Sequence, residues 1–197
     1  MRHEDVLILA GSLSRLSVSR VAGEVLYRSL TAAGVGTRLM TVEELNLPFF
    51  NPDVHYDDPS VAQGYLDAVR RARVLIWSAP SYHRTISGSF KNAIDFLELL
   101  VNDKPTYLHG KVVGAISTSK GIVAAANTTV ELAMAAQALH AFTFPLLIPI
   151  TASHSALDAK GNITDKRICG KLDLMVGEVQ SFLRDGLGQS LEVQTAG

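Results

Sequence analysis

The sequence predicts an α/β fold, an open and mostly parallel β-sheet with helices packed on both faces. Three observations carry that prediction. Short apolar runs of strand length recur, and those at 6–10 (VLILA), 74–79 (VLIWSA) and 111–117 (KVVGAIS) are nearly continuous, as strands buried on both faces are. Longer amphipathic segments lie between the runs, so strand and helix alternate five times. The chain of 197 residues suits one such domain, at about 150 residues per domain.

In order, the strand at 6–10 leads into a helix over 19–33 that Gly34 ends. The next strand, 35–42 (VGTRLMTV), alternates polar and apolar residues as an edge strand does. The stretch 47–59 holds three prolines and reads as a loop, because the rhythm resumes with a helix over 60–73. Strand 74–79 precedes a helix over 87–101 with Phe90, Ile94, Leu97 and Val101 on one stripe. Strand 111–117 is followed by a helix over 127–141, a strand over 144–150 (FPLLIPI) and a last helix over 165–184. Within 153–164, Lys160-Gly161-Asn162 is a turn signal for a short hairpin. Residues 1–185 form a single domain, and the small, polar stretch 186–197 is expected to fray as a flexible C-terminal tail.

Composition narrows the function. Hydrophobic residues make up 47% and charged residues 19%, with a mean hydropathy of +0.19, which excludes a disordered chain. Lys and Arg total 18 against 19 Asp and Glu, a net charge of −1 that leaves no footprint for nucleic acid or an anionic membrane. The one basic cluster, Arg70, Arg71 and Arg73, reads as a solvated helix end. No apolar stretch approaches the roughly 18 residues of a membrane span, and the apolar run near the start is too short for a signal peptide. The expected setting is the cytoplasm. A lone Cys169 forms no internal disulfide, and no Cys/His spacing suits zinc.

In open parallel sheets, ligands bind beyond the carboxyl ends of the strands, where strand order reverses. After the first strand comes GSLSRLSVSR (11–20), which is neither GxGxxG nor GxxxxGK[ST]. It brings Ser12, Ser14, Ser17, Ser19 and Arg15 to a helix N-terminus, where hydroxyls, backbone N–H groups and the helix dipole suit a phosphate dianion. A helix cap needs one serine, and four exceed that need. After the third strand, Pro80, Ser81, Tyr82 and His83 lie on a loop, and Ser87-Gly88 opens the next helix. An aromatic and an imidazole there can flank a flat ring, though Tyr82 taken alone reads more simply as a half-buried loop aromatic. After the fourth strand, Ser117, Thr118, Ser119, Lys120 and Gly121 reach the same edge.

Other chemistries lack their residues. There is no GxSxG elbow, and the six histidines include no HExxH or i,i+4 pair, so no metal site is expected. Cys169 reads as a small core residue of a helix. A receiver domain needs acidic residues where Gly11-Ser12 stands.

GSLSRLSVSR resembles the phosphate loop of the NAD(P)H-dependent FMN reductase family, whose form is near GSLRxxSxNR. SAPSYHRTISGSFKNAIDFL resembles that family's second signature, near (T/S)PxYxxxxxGxxKNxxDxL, and GKVVGAISTSKG its fourth strand and third flavin loop. The likeness spans about residues 5–150 and is nearest to the flavin reductases that feed sulfonate-degrading monooxygenases. It implies a flavodoxin-like three-layer sandwich, a five-stranded parallel sheet in order 2-1-3-4-5, and FMN reduced by NADPH or NADH. Carried over, Ser12, Arg15, Ser17 and Ser19 hold the FMN phosphate. Pro80, Ser81, Tyr82 and His83 line the ring, and Ser117 to Gly121 cover its other edge. Three positions depart from the family pattern: Ser14 stands for arginine, Ser19 for asparagine and Ser81 for a frequent glutamate.

No side chain is assigned a catalytic role, because the cofactor carries the hydride transfer. Reduced FMN then leaves for a partner monooxygenase, or stays to reduce a quinone, an azo dye or a metal oxyanion. An electron-carrying flavodoxin shares the fold, but such carriers are strongly acidic. A flavin-binding regulatory module without turnover shares every binding loop. Helix 87–101 also carries a second apolar set, Ala93, Phe96 and Leu100, and 131–141 is rich in alanine and methionine. A homodimer or homotetramer that buries helix 87–101 is therefore expected, the alternative being that the loop over 47–59 folds onto this helix within one chain.

Overall fold

Strand β1 (Val6–Ala10) is buried along its whole length and pairs in parallel with β2 (Thr37–Thr41) on one side and β3 (Val74–Tyr82) on the other. Strand β5 (Val112–Ser119) continues the sheet beyond β3, again in parallel. The last parallel strand comes in two pieces, β6 (Phe142–Thr143) and β7 (Ile148–Thr151), both paired to β5. The order β2-β1-β3-β5-β6 is the expected 2-1-3-4-5, with β2 at an edge as its alternating pattern requires. These statements rest on a computed structural model that describes residues 4–14, 17–54, 56, 62–151, 157–158 and 162–186. The expected frayed tail lies outside the described residues from 187 onward, as do Lys160 and Gly161 of the turn signal. The flanks of that turn meet in an antiparallel bridge between Leu157 and Ile163.

Side-chain alternation along the central strands divides the core into two layers. Val6, Ile8, Val74, Ile76, Val112 and Ile116 pack under α1 (Val18–Ala32) and α6 (Lys166–Asp185). Leu7, Leu9, Leu75, Trp77, Val113 and Ala115 face the opposite layer. That layer comprises α3 (Gln63–Arg71), α4 (Gly88–Asp95) and α5 (Ile122–Ala138).

Several expected boundaries move, each for a local reason. Helix 127–141 begins five residues earlier, because Ala124 to Ala126 are strong helix formers that extend it back to Gly121. Helix 87–101 is α-helical only to Asp95 and then tightens to 3-10 geometry over Phe96–Leu100. Strand 144–150 is displaced and split: β5 residue Val113 pairs with Thr143, but Ile116 pairs with Ile148, so two extra residues bulge out around Pro145. Strand β3 runs on to Tyr82 and turns back into a two-residue strand, β4 (Thr85–Ile86), where a loop was expected.

The expected oligomer face is also revised. Phe90, Ala93, Ile94, Phe96, Leu97 and Leu100 are all buried within the chain, and of the two apolar sets only Val101, at the end of the segment, is exposed, so helix 87–101 offers no extended spare apolar face. The loop after β2 and α2 (Val42–Leu45) covers it. Asn92 accepts a hydrogen bond from the Phe50 amide (2.9 Å) and donates to the Pro48 carbonyl (2.8 Å), and Phe50 and Tyr56 pack against Phe96. Of the basic cluster, Arg70 bonds Asp67 and Asp103, Arg71 bonds Glu4, and Arg73 lies over the Phe182 ring, as a helix end and its flank would be.

Candidate flavin site

The chain crosses from β2 on one side of β1 to β3 on the other, so the strand order reverses between β1 and β3. Above that point, the loop after β1 enters α1 on one face and the hairpin after β3 leads to α4 on the other. A crevice between such divergent connections is where ligands of open α/β sheets sit.

The first wall is the serine loop. Gly11 donates its amide to the Ser78 carbonyl (2.7 Å), and Ser78 Oγ donates to the Ser19 carbonyl (2.7 Å), so β3 fixes both ends of the loop. Ser12 is buried and its Oγ accepts from the Ser14 amide at 3.1 Å, which leaves its hydroxyl proton to donate elsewhere. Ser17 is the N-cap of α1, and its Oγ lies 2.7 Å from Ser19 Oγ but 3.5 Å from the Arg20 amide, a weak cap. The amides of the first helical turn have no intrahelical partner and so remain donors to an anion. Ser14 is exposed at the mouth, and Arg15 lies outside the described residues. Arg20 is engaged by Glu24 and Glu43. Gly11 is required by packing: a Cβ there would sit 1.8 Å from Phe90 Cδ2.

The second wall is the β3–β4 hairpin. Pro80 and Ser81 are buried in the strand, and Ser81 Oγ lies 2.8 Å from Thr128 Oγ1 of α5. The expected ring contacts thus divide: Tyr82 and His83 face solvent, Tyr82 at 56% exposure, while the Ser81 hydroxyl is turned to a helix. The third wall is the end of β5. Ser117 and Thr118 are buried strand residues, and Ser119, Lys120 and Gly121 emerge at the N-terminus of α5.

The residues present fit FMN. Ser117 Oγ is buried without a hydrogen-bond partner among the described residues, a cost that a ligand's hydrogen bond would relieve. Leu13, Tyr82 and Ile122 are exposed apolar groups on the three connections, as a flat aromatic ring requires. Phosphate donors on the first connection complete the requirement.

A family model described as NADPH-dependent FMN reductase matches residues 5–154. The chain belongs to the NADPH-dependent FMN reductase family. It is an NAD(P)H-dependent oxidoreductase of flavodoxin-like fold, with FMN as its cofactor. An NAD(P)H-dependent FMN reductase of Pseudomonas aeruginosa is 24% identical over 184 residues, 91% of this chain and 95% of the relative. A quinone reductase of Escherichia coli K12 is 25% identical over 182 residues, 90% and 93% of the two chains. Among solved structures, the flavoenzyme NAD(P)H:(acceptor) oxidoreductase FerB of Paracoccus denitrificans superposes with a TM-score of 0.73 at 21% identity, covering 91% of this chain and 96% of that one.

Three residues of the candidate site stand out little or not at all in the sequence. Ser78 leaves a trace, as the one polar residue of the apolar run 74–79. Leu13 and Ile122 gave no signal, since an apolar residue in a loop or helix end reads as core.

Proposed function

We propose that the protein oxidises NAD(P)H and passes the hydride to FMN held across the β1–β3 switch point. The observation that carries this reading is that the serine loop with its helix-terminal amides shares one sheet edge with the exposed apolar groups Leu13, Tyr82 and Ile122. When bound, FMN supplies the hydride-accepting chemistry. Ser12, Ser17 and the first-turn amides of α1 hold its phosphate, with Arg15, Ser14 and Ser19 in the same loop. Tyr82 and His83 flank the ring from the hairpin, and Ser117 to Gly121 bound its far edge.

The final acceptor is a quinone or free flavin. Relatives named quinone reductases in three bacterial genera favour the quinone. Release of reduced FMN to a monooxygenase is the second reading, supported by the open rim of Leu13 and Ile122. The cytoplasm, where NAD(P)H is abundant, is the compartment that fits. Self-association is proposed through α5 instead of helix 87–101, because Val123, Val130 and Met134 form an exposed stripe at spacings of seven and four, with Met134 exposed at 63%.

The test is a pair of measurements on Ser12→Ala/Ser17→Ala. Two charge-assisted hydrogen bonds, each worth roughly 1.5–3 kcal/mol, are removed from the phosphate. FMN affinity falls at least about tenfold, while riboflavin, which has no phosphate, binds unchanged. Equal losses for both ligands, or wild-type protein that fails to oxidise NAD(P)H with FMN present, would overturn the assignment.

A further inference from the structure

The hairpin after β3 is held in a conformation its own residues disfavour. Tyr82 pairs with Thr85 across the antiparallel β3–β4 ladder, which leaves His83-Arg84 as a two-residue turn. Both turn residues have positive φ, 53° and 68°. That is the pattern of a type I′ turn, which Asn-Gly ordinarily supplies and which side chains such as His and Arg resist. Such backbone persists where the surroundings over-determine it.

Helix α5 supplies that constraint. Ala124, Thr128 and Glu131 follow one another at i, i+4 and i+7, on one helical face. Ser81, on the near arm of the hairpin, donates its hydroxyl to the Ala124 carbonyl (3.3 Å) and accepts from Thr128 Oγ1 (2.8 Å). On the far arm, one oxygen of Glu131, Oε2, accepts both Thr85 Oγ1 (2.8 Å) and the Ile86 amide (3.1 Å). Both arms are pinned, and the residues between them, Tyr82, His83 and Arg84, are exposed.

The geometry points to Glu131 as the positioning residue for the ring-facing side of the site: through Thr85 and Ile86 it fixes the hairpin tip so that Tyr82 is presented beside the serine loop. This role rests on the flavin-reductase reading above. Glu131 acts through the hairpin and not on the reacting atoms. Its carboxylate spans two donors at once, so Glu131→Ala frees the far arm, whereas the carbonyl oxygen of Glu131→Gln can still accept both.

Glu131→Ala, Glu131→Gln, Tyr82→Ala and the double variant Glu131→Ala/Tyr82→Ala, each in the full chain, test this. Amide hydrogen exchange over residues 81–87 reads the anchor without any flavin. FMN affinity and the KM and kcat for NAD(P)H read its consequence. In Glu131→Ala, exchange of the hairpin amides quickens while β5 stays protected. FMN affinity falls or KM for NAD(P)H rises by roughly tenfold, as expected for losing hydrogen bonds to a charged group, and Glu131→Gln restores most of it. In the Tyr82→Ala background, the same substitution changes these values by less than about twofold, because the two residues act as one unit. Should Glu131→Ala fail to fold, Thr85→Val removes one of the two bonds and shows the same pattern at smaller amplitude. Unchanged exchange, effects that multiply in the double variant, or a Gln variant as impaired as the Ala variant would overturn the positioning role. Wild-type protein that neither binds FMN nor oxidises NAD(P)H would overturn the flavin reading, and this role with it, whatever the exchange shows.

Discussion

Gly11→Ala is the smallest perturbation that tests how the serine loop is built. The added methyl would lie 1.8 Å from Phe90 Cδ2, 2.7 Å from Cε2 and 2.8 Å from Cγ. Ordinary carbon contacts are about 3.5–4.0 Å, so the ring must retreat by roughly 1.5–2 Å. It has nowhere to go: Phe90 is fully buried and packs edge-on to Trp77, their centroids 6.1 Å apart. Overpacking of this kind costs about 1–3 kcal/mol, and a contact this close belongs at the upper end. For a chain of this size, about 3 kcal/mol lowers Tm by roughly 6–12 °C. Thermal unfolding measures the loss, and FMN titration measures the displacement of the adjacent Ser12. Gly11→Ala/Phe90→Leu makes room for the methyl, so its destabilisation should fall short of the summed single effects by more than about 0.5 kcal/mol. A Gly11→Ala protein within about 2 °C of wild type and with unaltered FMN affinity would refute the packing argument.

Three further outcomes are expected. Tyr82→Ala changes the absorbance envelope of bound flavin or raises KM for NAD(P)H with little change in Tm, since a side chain 56% exposed contributes little to the core; a large loss of stability with unaltered kinetics would make Tyr82 a packing residue. The Gln63 amide, and after it the Arg70 guanidinium, hold the Asp67 carboxyl below its ordinary value of 3.8. The stability it adds is present above that value and fades as pH falls through the lowered one, so Asp67→Asn should cost about 0.2–1 kcal/mol at pH 7 and nearly nothing near pH 2; equal urea midpoint shifts at both pH values would contradict this. Light scattering at micromolar concentration should give a multiple of 21.2 kDa that Val130→Asp/Met134→Asp reduces to the monomer; a wild-type mass of 21.2 kDa would remove α5 as an interface.

The sheet was legible because its strands are buried on both faces. VLILA and VLIWSA have no other reading at that length, and β1 and most of β3 stand where those runs lie. The serine loop is legible as a feature because four hydroxyls in eight residues exceed the one that caps α1, and its phosphate role is the proposal made above. The β3–β4 hairpin was not, because its turn is His-Arg and nothing local marks positive φ; its stability comes from Glu131, 46 residues beyond Thr85. The cover over helix 87–101 is legible only as one of two choices, the 47–59 loop of the same chain or a second copy, and the structure shows the loop there. Its excess apolar residues were correctly noticed, but the partner that buries them is tied on by Asn92, 42 residues from Phe50. A surplus of apolar surface shows that something must cover it and is silent about whether that cover is the same chain.

Ser78 and Tyr82 lie on one uninterrupted strand, the first bonded to the base of the serine loop and the second exposed at the strand's end, where the hairpin begins. Four residues of extended chain span about 13 Å, and a buried parallel strand neither stretches nor slides. β3 therefore acts as a ruler, graduated by the backbone itself. If FMN is held by both the serine loop and the hairpin, as proposed above, its reach from phosphate to ring must match that length. Lengthening the ruler by inserting residues between Ser78 and Tyr82 would alternate which face each side chain takes, and shortening it would draw the hairpin down into the sheet. The tolerance of this segment to changes in length should accordingly be far lower than its tolerance to changes in residue type.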